Sequence, residues 1–174
     1  MDVVEQFRKI PGFSMSEDSR IFKIPLPAGD DTLPGLLTTV FPGDGIWVNL
    51  IDIRSNTIPD FIADPVGETR ELKVNYCAAG RCELKLKTGE RTYLTAGEIA
   101  LDAGQALNTY FYPGGEYRGF EVVIPMGDTS SEIKSEAEKI FSACITDSRP
   151  WIMNAGRILS DFYNALSYYE LSES

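Results

Sequence analysis

Histidine is absent from this chain of 174 residues. Histidine is the usual acid–base group near neutral pH and the commonest metal ligand in proteins. Its absence excludes Ser-His-Asp and Cys-His nucleophile arrangements, and it excludes zinc or iron sites built on imidazole. An all-carboxylate calcium site stays open, although the sequence contains no EF-hand spacing. We therefore expect no transition metal and no other cofactor in this chain.

The chain has only three cysteines, Cys77, Cys82 and Cys144. An odd count in an otherwise cytosolic-looking chain favours free thiols. Cys77 and Cys82 flank residues 78–81, Ala-Ala-Gly-Arg, which we predict to form a turn that places the two cysteines across a hairpin. Reduced, buried side chains are the main expectation, and a redox switch between these two residues is the alternative.

Long apolar runs and an excess of positive charge are also missing. No apolar run reaches the ~18 residues that a membrane-spanning helix needs. The N-terminal segment MDVVEQFRKI is amphipathic and mixed in charge, unlike a secretory signal, which favours the cytoplasm. The chain has 16 basic and 26 acidic residues, for a net charge of −10. Because a polyanion is repelled by such a field, we expect that this chain does not bind DNA by itself.

Short apolar runs bounded by Gly, Pro or Asp occupy the middle of the chain. Turn residues recur about every 8–12 positions, which favours a β-sandwich or barrel over βαβ units. Leu72, Val74 and Tyr76 alternate with polar or charged neighbours, which predicts a wall with one dry face and one wet face. The predicted strands are Leu36–Phe41, Gly45–Arg54, Glu71–Cys77, Cys82–Lys87, Arg91–Leu94, Ile99–Leu101, Leu107–Tyr112 and Tyr117–Ile124.

The pattern becomes helical after Pro125. Residues 128–132 supply a capping residue and an acid for a first turn, and a second helix follows a break at Pro150. We expect residues 1–125 to form a barrel with an N-terminal arm, and residues 126–174 to form a helical appendage of the same structural domain. The second helix carries an apolar stripe. We predict this stripe to be a dimer interface, with packing against the outside of the barrel as the alternative; it consists of Ile158, Leu159, Phe162, Tyr163 and Leu166.

Residues 71–124 resemble a cupin. Strand-like runs in this region are separated by glycine turns in the order typical of that fold, at Tyr76–Gly80, Gly89-Glu90, Leu94–Glu98 and Ala103-Gly104. Residues 111–119 resemble the second cupin motif, in which Pro-x-Gly precedes a metal-binding histidine, and Arg118 stands near that histidine position. The histidines of the first motif would precede Tyr76, where this chain has Asp64–Glu68. The resemblance therefore implies a cupin-like double-stranded β-helix, or jelly-roll barrel, without its metal site.

A metal-free cupin followed by two helices is similar to the N-terminal half of AraC-type transcription regulators. Patterns similar to YC-x-x-G-R-x-E, Y-L-x-x-G-E and Y-P-x-G-x-Y-x-G occur in order at residues 76–83, 93–98 and 112–119, and the resemblance covers about residues 20–170. It implies a mainly β, cupin-like fold with two C-terminal α-helices, which senses an effector or mediates dimerisation. The implied partners are a small molecule such as a sugar, a second copy of the chain, and DNA only through a separate helix-turn-helix pair. On this interpretation the chain is not an enzyme.

Seven residues on the predicted strands and rims combine aromatic faces with hydrogen-bonding tips, as small-molecule pockets do. The alternative is that the aromatic residues are ordinary core and the charged residues face solvent. Glu121 would share a face with Gly119 and Val123, where an acid can bind a polar effector or pair with a cation, and Arg118 would face the other way. The candidate ligand-binding residues are Trp47, Asn49, Tyr76, Phe111, Tyr112, Arg118 and Glu121.

Two other functions remain open from the sequence. A metal-free sugar isomerase or epimerase would need a barrel tyrosine as its base, and a phenol serves as a base only where a cation such as Arg118 lowers its pKa. A barrel filled by side chains would instead be a pure dimerisation module. The tyrosines available to the enzyme are Tyr76, Tyr93, Tyr110, Tyr112 and Tyr117.

Overall fold

A computed structural model describes residues 8–26, 35–57, 70–127 and 131–172. Three features considered above lie outside the described residues, namely most of the N-terminal segment, the stretch Asp64–Glu68 and the residues 128–130. The described chain forms ten strands and two helices. The strands are β1 (Ser14–Met15), β2 (Ile21–Leu26), β3 (Gly35–Gly43), β4 (Ile46–Ile53), β5 (Glu71–Leu86), β6 (Arg91–Thr95), β7 (Glu98–Asp102), β8 (Ala106–Phe111), β9 (Tyr117–Pro125) and β10 (Trp151–Asn154), and the helices are α1 (Glu132–Cys144) and α2 (Arg157–Ser172).

All strand pairs are antiparallel and belong to two sheets that share β5. The larger sheet has the order β1-β2-β3-β4-β9-β5-β7-β10, and the smaller sheet is formed by β6 and β8 on the second half of β5. Apolar side chains from both sheets meet in one core, for example Ile24 and Ile53 from the larger sheet with Leu84 and Leu94 from the smaller one. We call this space the interior, and the opposite side of the larger sheet the outer face.

Strand β5 bends from one sheet into the other at residues 77–80. Its register with β9 shifts between Cys77 and Ala79, which is a β-bulge. Gly80 follows with φ of 82°, and a Cβ at this position would collide with the carbonyl of Glu116. The predicted hairpin turn at residues 78–81 is therefore wrong. The glycine and its small neighbours permit a sharp bend within one continuous strand, and Cys77 and Cys82 lie along that strand instead of across a turn.

Both helices pack on the outer face. Helix α1 buries Ala137, Phe141 and Cys144 against Leu72 and Ile124. The observed start of α1 agrees with the start predicted from the sequence. The side chain of Ser131 accepts a hydrogen bond from the backbone N–H of Lys134, and Glu132 lies in the first turn. Between the helices, β10 pairs with the edge of β7, a strand that the sequence analysis missed.

The mainly β, antiparallel architecture with two C-terminal helices confirms the predicted fold class. The helices matter for function because they cover one side of the strands whose other side forms the interior. Among the described residues, no helix is both long and apolar enough to cross a membrane.

Candidate functional site

The polar face of β5 points into the interior. Leu72 and Val74 belong to the cluster beneath α1, and Tyr76 belongs to the cluster beneath α2, so the alternate residues Lys73 and Asn75 face the other way. The sequence pattern had correctly separated the two faces, but it did not predict that the apolar one is outside. Because two helices cover the apolar face, the face expected to meet water became the inner wall.

A row of polar side chains crosses the interior side of four strands. Thr39, Asn49, Glu121 and Asn75 are neighbours in register on β3, β4, β9 and β5, and we call them the polar row. The hydroxyl of Thr39 donates to Oδ1 of Asn49 at 2.7 Å, and Nδ2 of Asn49 donates to Oε1 of Glu121 at 3.0 Å. A connected chain of donors and acceptors is thus held by the backbone of the larger sheet.

Glu121 is the electrostatic centre of this row. Burial raises the pKa of its carboxyl above the ordinary value for glutamate. The positive charge of Lys73 and hydrogen bonds from Asn49 and Asn75 lower that pKa, while the nearby charge of Glu71 raises it, and burial dominates. Glu121 therefore keeps its proton to higher pH than an exposed glutamate, and it can accept or donate a hydrogen bond depending on pH.

Three tyrosines supply phenol groups to the same interior. Burial raises the pKa of Tyr110, Tyr112 and Tyr117 well above the ordinary value, and the charge of Glu121 raises it further. The hydroxyl of Tyr117 donates to the backbone carbonyl of Tyr76 at 3.5 Å. These phenols are neutral at physiological pH, so they are hydrogen-bond donors and not bases.

The predicted ligand-binding residues are only partly brought together. Asn49 and Glu121 are hydrogen-bonded, and Tyr112 lies 4% exposed in the interior core. Trp47 shares the inward face of β4 with Asn49, and its ring meets that of Phe41 edge-on at 6.3 Å. These positions agree with an interior site, although the binding role of each residue stays a prediction.

The other three predicted residues lie elsewhere. Tyr76 is buried on the outer face, where its ring centroid is 6.1 Å from that of Tyr163 in α2. Phe111 is 39% exposed, and Arg118 pairs with Glu116 at 3.1 Å at the surface. Arg118 thus faces away from Glu121, as strand alternation predicted, and it is not placed to lower the pKa of an interior tyrosine.

Three members of the site were missed from the sequence, namely Thr39, Lys73 and Asn75. The alternation with apolar residues on β5 places Lys73 and Asn75 on one polar face of the strand. That face was predicted to meet solvent, because charged side chains are usually exposed. Thr39 carries no comparable signal, and only the register of β3 against β4 places it beside Asn49.

The cysteines are buried and free, in agreement with the expected reduced thiols. Cys77 and Cys82 belong to the interior core, and Cys144 lies at the end of α1. Burial raises the pKa of Cys77 to about 12, and it raises the pKa of Cys82 as well. Both side chains therefore behave as small core residues and not as nucleophiles. No cluster of three or more potential metal ligands occurs within the part of the chain that the structure describes.

Comparison with known proteins yields structural likeness only. No family model and no curated protein sequence matches the chain. The EutQ protein of Clostridium difficile has 15% identity and a TM-score of 0.40, with 67% of this chain and 84% of that chain covered. Ectoine synthase from P. lautus has 14% identity and a TM-score of 0.37, with 90% and 91% covered, and quercetin 2,3-dioxygenase from Acinetobacter baumannii has 11% and 0.39, with 79% and 45% covered. These three proteins have the cupin fold.

The sequence-based prediction that this chain is not an enzyme is wrong, because the sequence does not exclude enzymatic activity. Structures with a similar fold include enzymes such as ectoine synthase and quercetin 2,3-dioxygenase. The absence of histidine excludes chemistry that depends on imidazole, but the interior contains Glu121 and Lys73. A carboxyl and an amine are also acid–base groups, so the composition does not exclude catalysis.

Replacing Glu121 with glutamine should flatten the pH dependence of stability. The pKa in the folded state is raised, so the folded chain holds the proton more tightly than the unfolded chain does. The wild-type free energy of unfolding therefore falls as pH rises from about 4.3, the ordinary glutamate pKa, through the raised folded-state pKa. Glutamine keeps the acceptor for Asn49 and cannot ionise, so Glu121→Gln should gain stability over wild type as pH rises.

Urea unfolding between about pH 4 and pH 8 measures this difference, and each unit of pKa shift corresponds to about 1.4 kcal/mol. Glu116→Gln is the matched control, because the Glu116 side chain is 51% exposed. The control should follow the wild-type curve. A Glu121→Gln curve parallel to wild type over the whole range would show that Glu121 titrates normally.

Proposed function

We propose that this chain is the effector-sensing domain of an AraC-type transcription regulator, with a small polar molecule bound in the interior at the polar row. One observation carries the proposal. The strands β4, β9 and β5 present the polar row on one side and the docking surface of α2 on the other. Binding inside and helix packing outside therefore act on the same three strands.

The interior supplies the groups that a hydroxylated ligand needs. Glu121 and the amides of Asn49 and Asn75 offer acceptors and donors, Lys73 adds a positive charge, and the phenols add neutral donors. A few polar groups in an apolar wall fix the orientation of a bound molecule. A sugar or a similar polyhydroxylated metabolite matches this mixture, because each of its hydroxyls both donates and accepts.

Each inward group has an outward neighbour that meets α2. Asn49 precedes Leu50, Glu121 follows Phe120, and the rings of Phe120 and Phe162 are 5.2 Å apart at their centroids. A ligand that shifts β9 relative to β4 changes the surface on which α2 rests. Such a ligand acts as an effector only if it binds two helix arrangements unequally, and couplings of about 1–3 kcal/mol are typical.

The apolar stripe of α2 is divided between two roles. Leu159, Tyr163 and Leu166 pack on the larger sheet, whereas Ile158 is 82% exposed. Phe162 lies at the boundary, because it is 41% exposed and its ring also meets that of Phe120. Packing against the barrel, the alternative weighed from the sequence, thus describes the first three residues. The exposed edge at Ile158 and Phe162 is the part of the stripe that we propose for contact with a second copy, and the homodimer stays a prediction.

An acid–base enzyme is the second candidate function, and the environment of Glu121 favours it. A carboxyl with a raised pKa next to an amine is an arrangement found at catalytic sites as well as in structural ion pairs. In such an enzyme Glu121 would exchange the proton, while the tyrosines, being neutral, would only donate hydrogen bonds. A metal-free isomerase would then depend on Glu121 and not on a tyrosine base.

A thermal-shift panel of sugars, polyols and small metabolites tests the sensor proposal. A ligand at 100 times its Kd should add about 2.7 kcal/mol of stability. Glu121→Gln should weaken binding of any hit by about tenfold, since hydrogen bonds to charged groups are worth about 1.5–3 kcal/mol. Arg118→Ala is the matched control on the same strand, and it should bind normally because its side chain faces solvent.

The possible results separate the candidates. Stabilisation that depends on Glu121 and changes the amide hydrogen exchange of α2, without turnover, supports the sensor. Turnover of the hit supports the enzyme. A panel without any hit supports the filled dimerisation module and contradicts both. For the regulator assignment, the reading frame of the gene is decisive, because an AraC-type parent must encode a helix-turn-helix pair in frame with this segment.

A further inference from the structure

A cavity lies on the outer face, on the opposite side of the larger sheet from the polar row. It is a groove of about 260 Å³ between the strands β1 to β4 and the C-terminal half of α2. This volume is close to the lower end of the range for small-ligand sites. The lining residues are Ser14, Met15, Ser16, Ile21, Lys23, Thr38, Val40, Val48, Leu50 and Leu166.

Lys23 is the single charged residue in this lining. It lies in register between Ser14 and Thr38, and its side chain is only partly exposed. In the part of the chain that the structure describes, no carboxylate pairs with Lys23, although acidic residues outnumber basic ones by ten in the whole sequence. An ammonium group in a groove, with no carboxylate partner among the described residues, favours an anionic ligand.

The remainder of the groove is largely apolar. Val40, Val48 and Leu50 form its floor on β3 and β4, and Leu166 forms a wall that belongs to α2. An inorganic anion would leave this surface in contact with water. A ligand with an apolar body of a few carbon atoms would cover it, with a contribution of about 25 cal/mol for each Å² removed from water.

We propose that this groove binds a small amphipathic carboxylate, whose anionic head contacts Lys23 and whose apolar body lies between the floor of β3 and β4 and Leu166. Such a ligand contacts the sheet and α2 at once, so it fixes the helix on the sheet. The groove is separate from the polar row, since Leu50 and Asn49 point to opposite sides of β4. The inference goes beyond the proposed function, and neither site requires the other.

Titration calorimetry with 3-phenylpropionate at low ionic strength tests the proposal. We expect binding with a Kd of about millimolar order, as suits a ligand of this size. The alcohol 3-phenyl-1-propanol and the amine 3-phenylpropylamine have the same apolar body. We expect the alcohol to bind at least about tenfold more weakly, since it lacks the charge-assisted hydrogen bond, and the amine not to bind measurably.

Variants locate the site. Lys23→Met keeps the length of the side chain, removes the charge, and should weaken binding of the carboxylate at least about tenfold. Lys85→Met is the matched control, because Lys85 is an exposed lysine on the smaller-sheet half of β5. Val48→Phe should fill the groove and abolish binding, and its circular dichroism melt shows whether it still folds.

Several results would overturn the inference. They are the absence of binding by 3-phenylpropionate, equal binding of the alcohol, unchanged binding in Lys23→Met, or unchanged binding in a folded Val48→Phe. Loss of binding in Glu121→Gln would place the carboxylate in the interior, which contradicts the groove and leaves the proposed function intact. If no compound of the sugar panel binds while 3-phenylpropionate binds normally, the proposed function is contradicted and the groove site stands.

Discussion

Replacing Gly80 with alanine should remove about 2–5 kcal/mol from the free energy of unfolding. Two costs add at this position. Gly80 has φ of 82°, a conformation that costs about 1–2 kcal/mol for any residue with a Cβ. The new methyl group would also collide with the carbonyl of Glu116, a backbone atom that cannot rotate away, and overpacking costs a further ~1–3 kcal/mol. The bend of β5 between the two sheets would be disrupted.

Gly89→Ala is the matched control for this prediction. Gly89 has φ of 87°, but no described atom beyond its two chain neighbours lies within 4 Å of the position where its Cβ would be. This variant therefore isolates the conformational cost, and we expect it to lose about 1–2 kcal/mol. Denaturant unfolding of both variants gives the difference. Equal losses would mean that the approach of Glu116 to Gly80 is looser in solution than in the structure.

Truncating Phe120 to alanine should cost about 3–5 kcal/mol, the usual loss for a buried phenylalanine. Phe120 is 2% exposed on the outer face, and its ring contacts those of Tyr76 and Phe162 at centroid distances of 5.3 and 5.2 Å. Its removal leaves a cavity between β9 and α2. Because domains of this size are stable by only about 5–15 kcal/mol, much of the total stability is at risk.

The measurement has two parts, urea unfolding and native-state hydrogen exchange. We expect α2 to lose protection by more than the interior strands do, since Phe120 joins the helix to the sheet. Phe111→Ala is the control, because Phe111 is 39% exposed and its truncation should cost much less. If Phe120→Ala leaves the protection of α2 unchanged, then α2 does not depend on this contact. The proposed coupling between the interior and α2 would then lack the contact that joins β9 to the helix.

The fold class was predictable from the sequence because its signals are local. Glycine turns between short apolar runs specify antiparallel strands, and the alternation along β5 specifies two faces. The Ser131 cap with the following acid and apolar spacing specifies α1. By contrast, β10 has only four residues, which is too short for any periodicity to be recognised. The bend at Gly80 was mistaken for a turn because a glycine with positive φ serves both structures.

The candidate site was less predictable, since its members are distant in the chain. Asn49 and Glu121 are separated by 72 positions and meet only through the pairing of β4 with β9. Both were selected from the sequence as polar residues on strands. Thr39, Lys73 and Asn75 were not selected, and Tyr76, Phe111 and Arg118 were selected but lie away from the interior. Residue type alone does not say which neighbours a strand will receive.

The sequence by itself determined that the chain has no imidazole chemistry, that its strands have two unlike faces, and that helices follow them. These properties depend on composition and on periods of two and 3.6 residues, which every stretch of chain carries within itself. Only the tertiary structure decided that the apolar face of β5 lies outside beneath α1 and α2, while Lys73 and Asn75 lie inside with Glu121. The reason is that alternation distinguishes two faces without naming the inner one. The elements that pack on each side of the sheet decide which face is the inner one, and here the two C-terminal helices cover the apolar face.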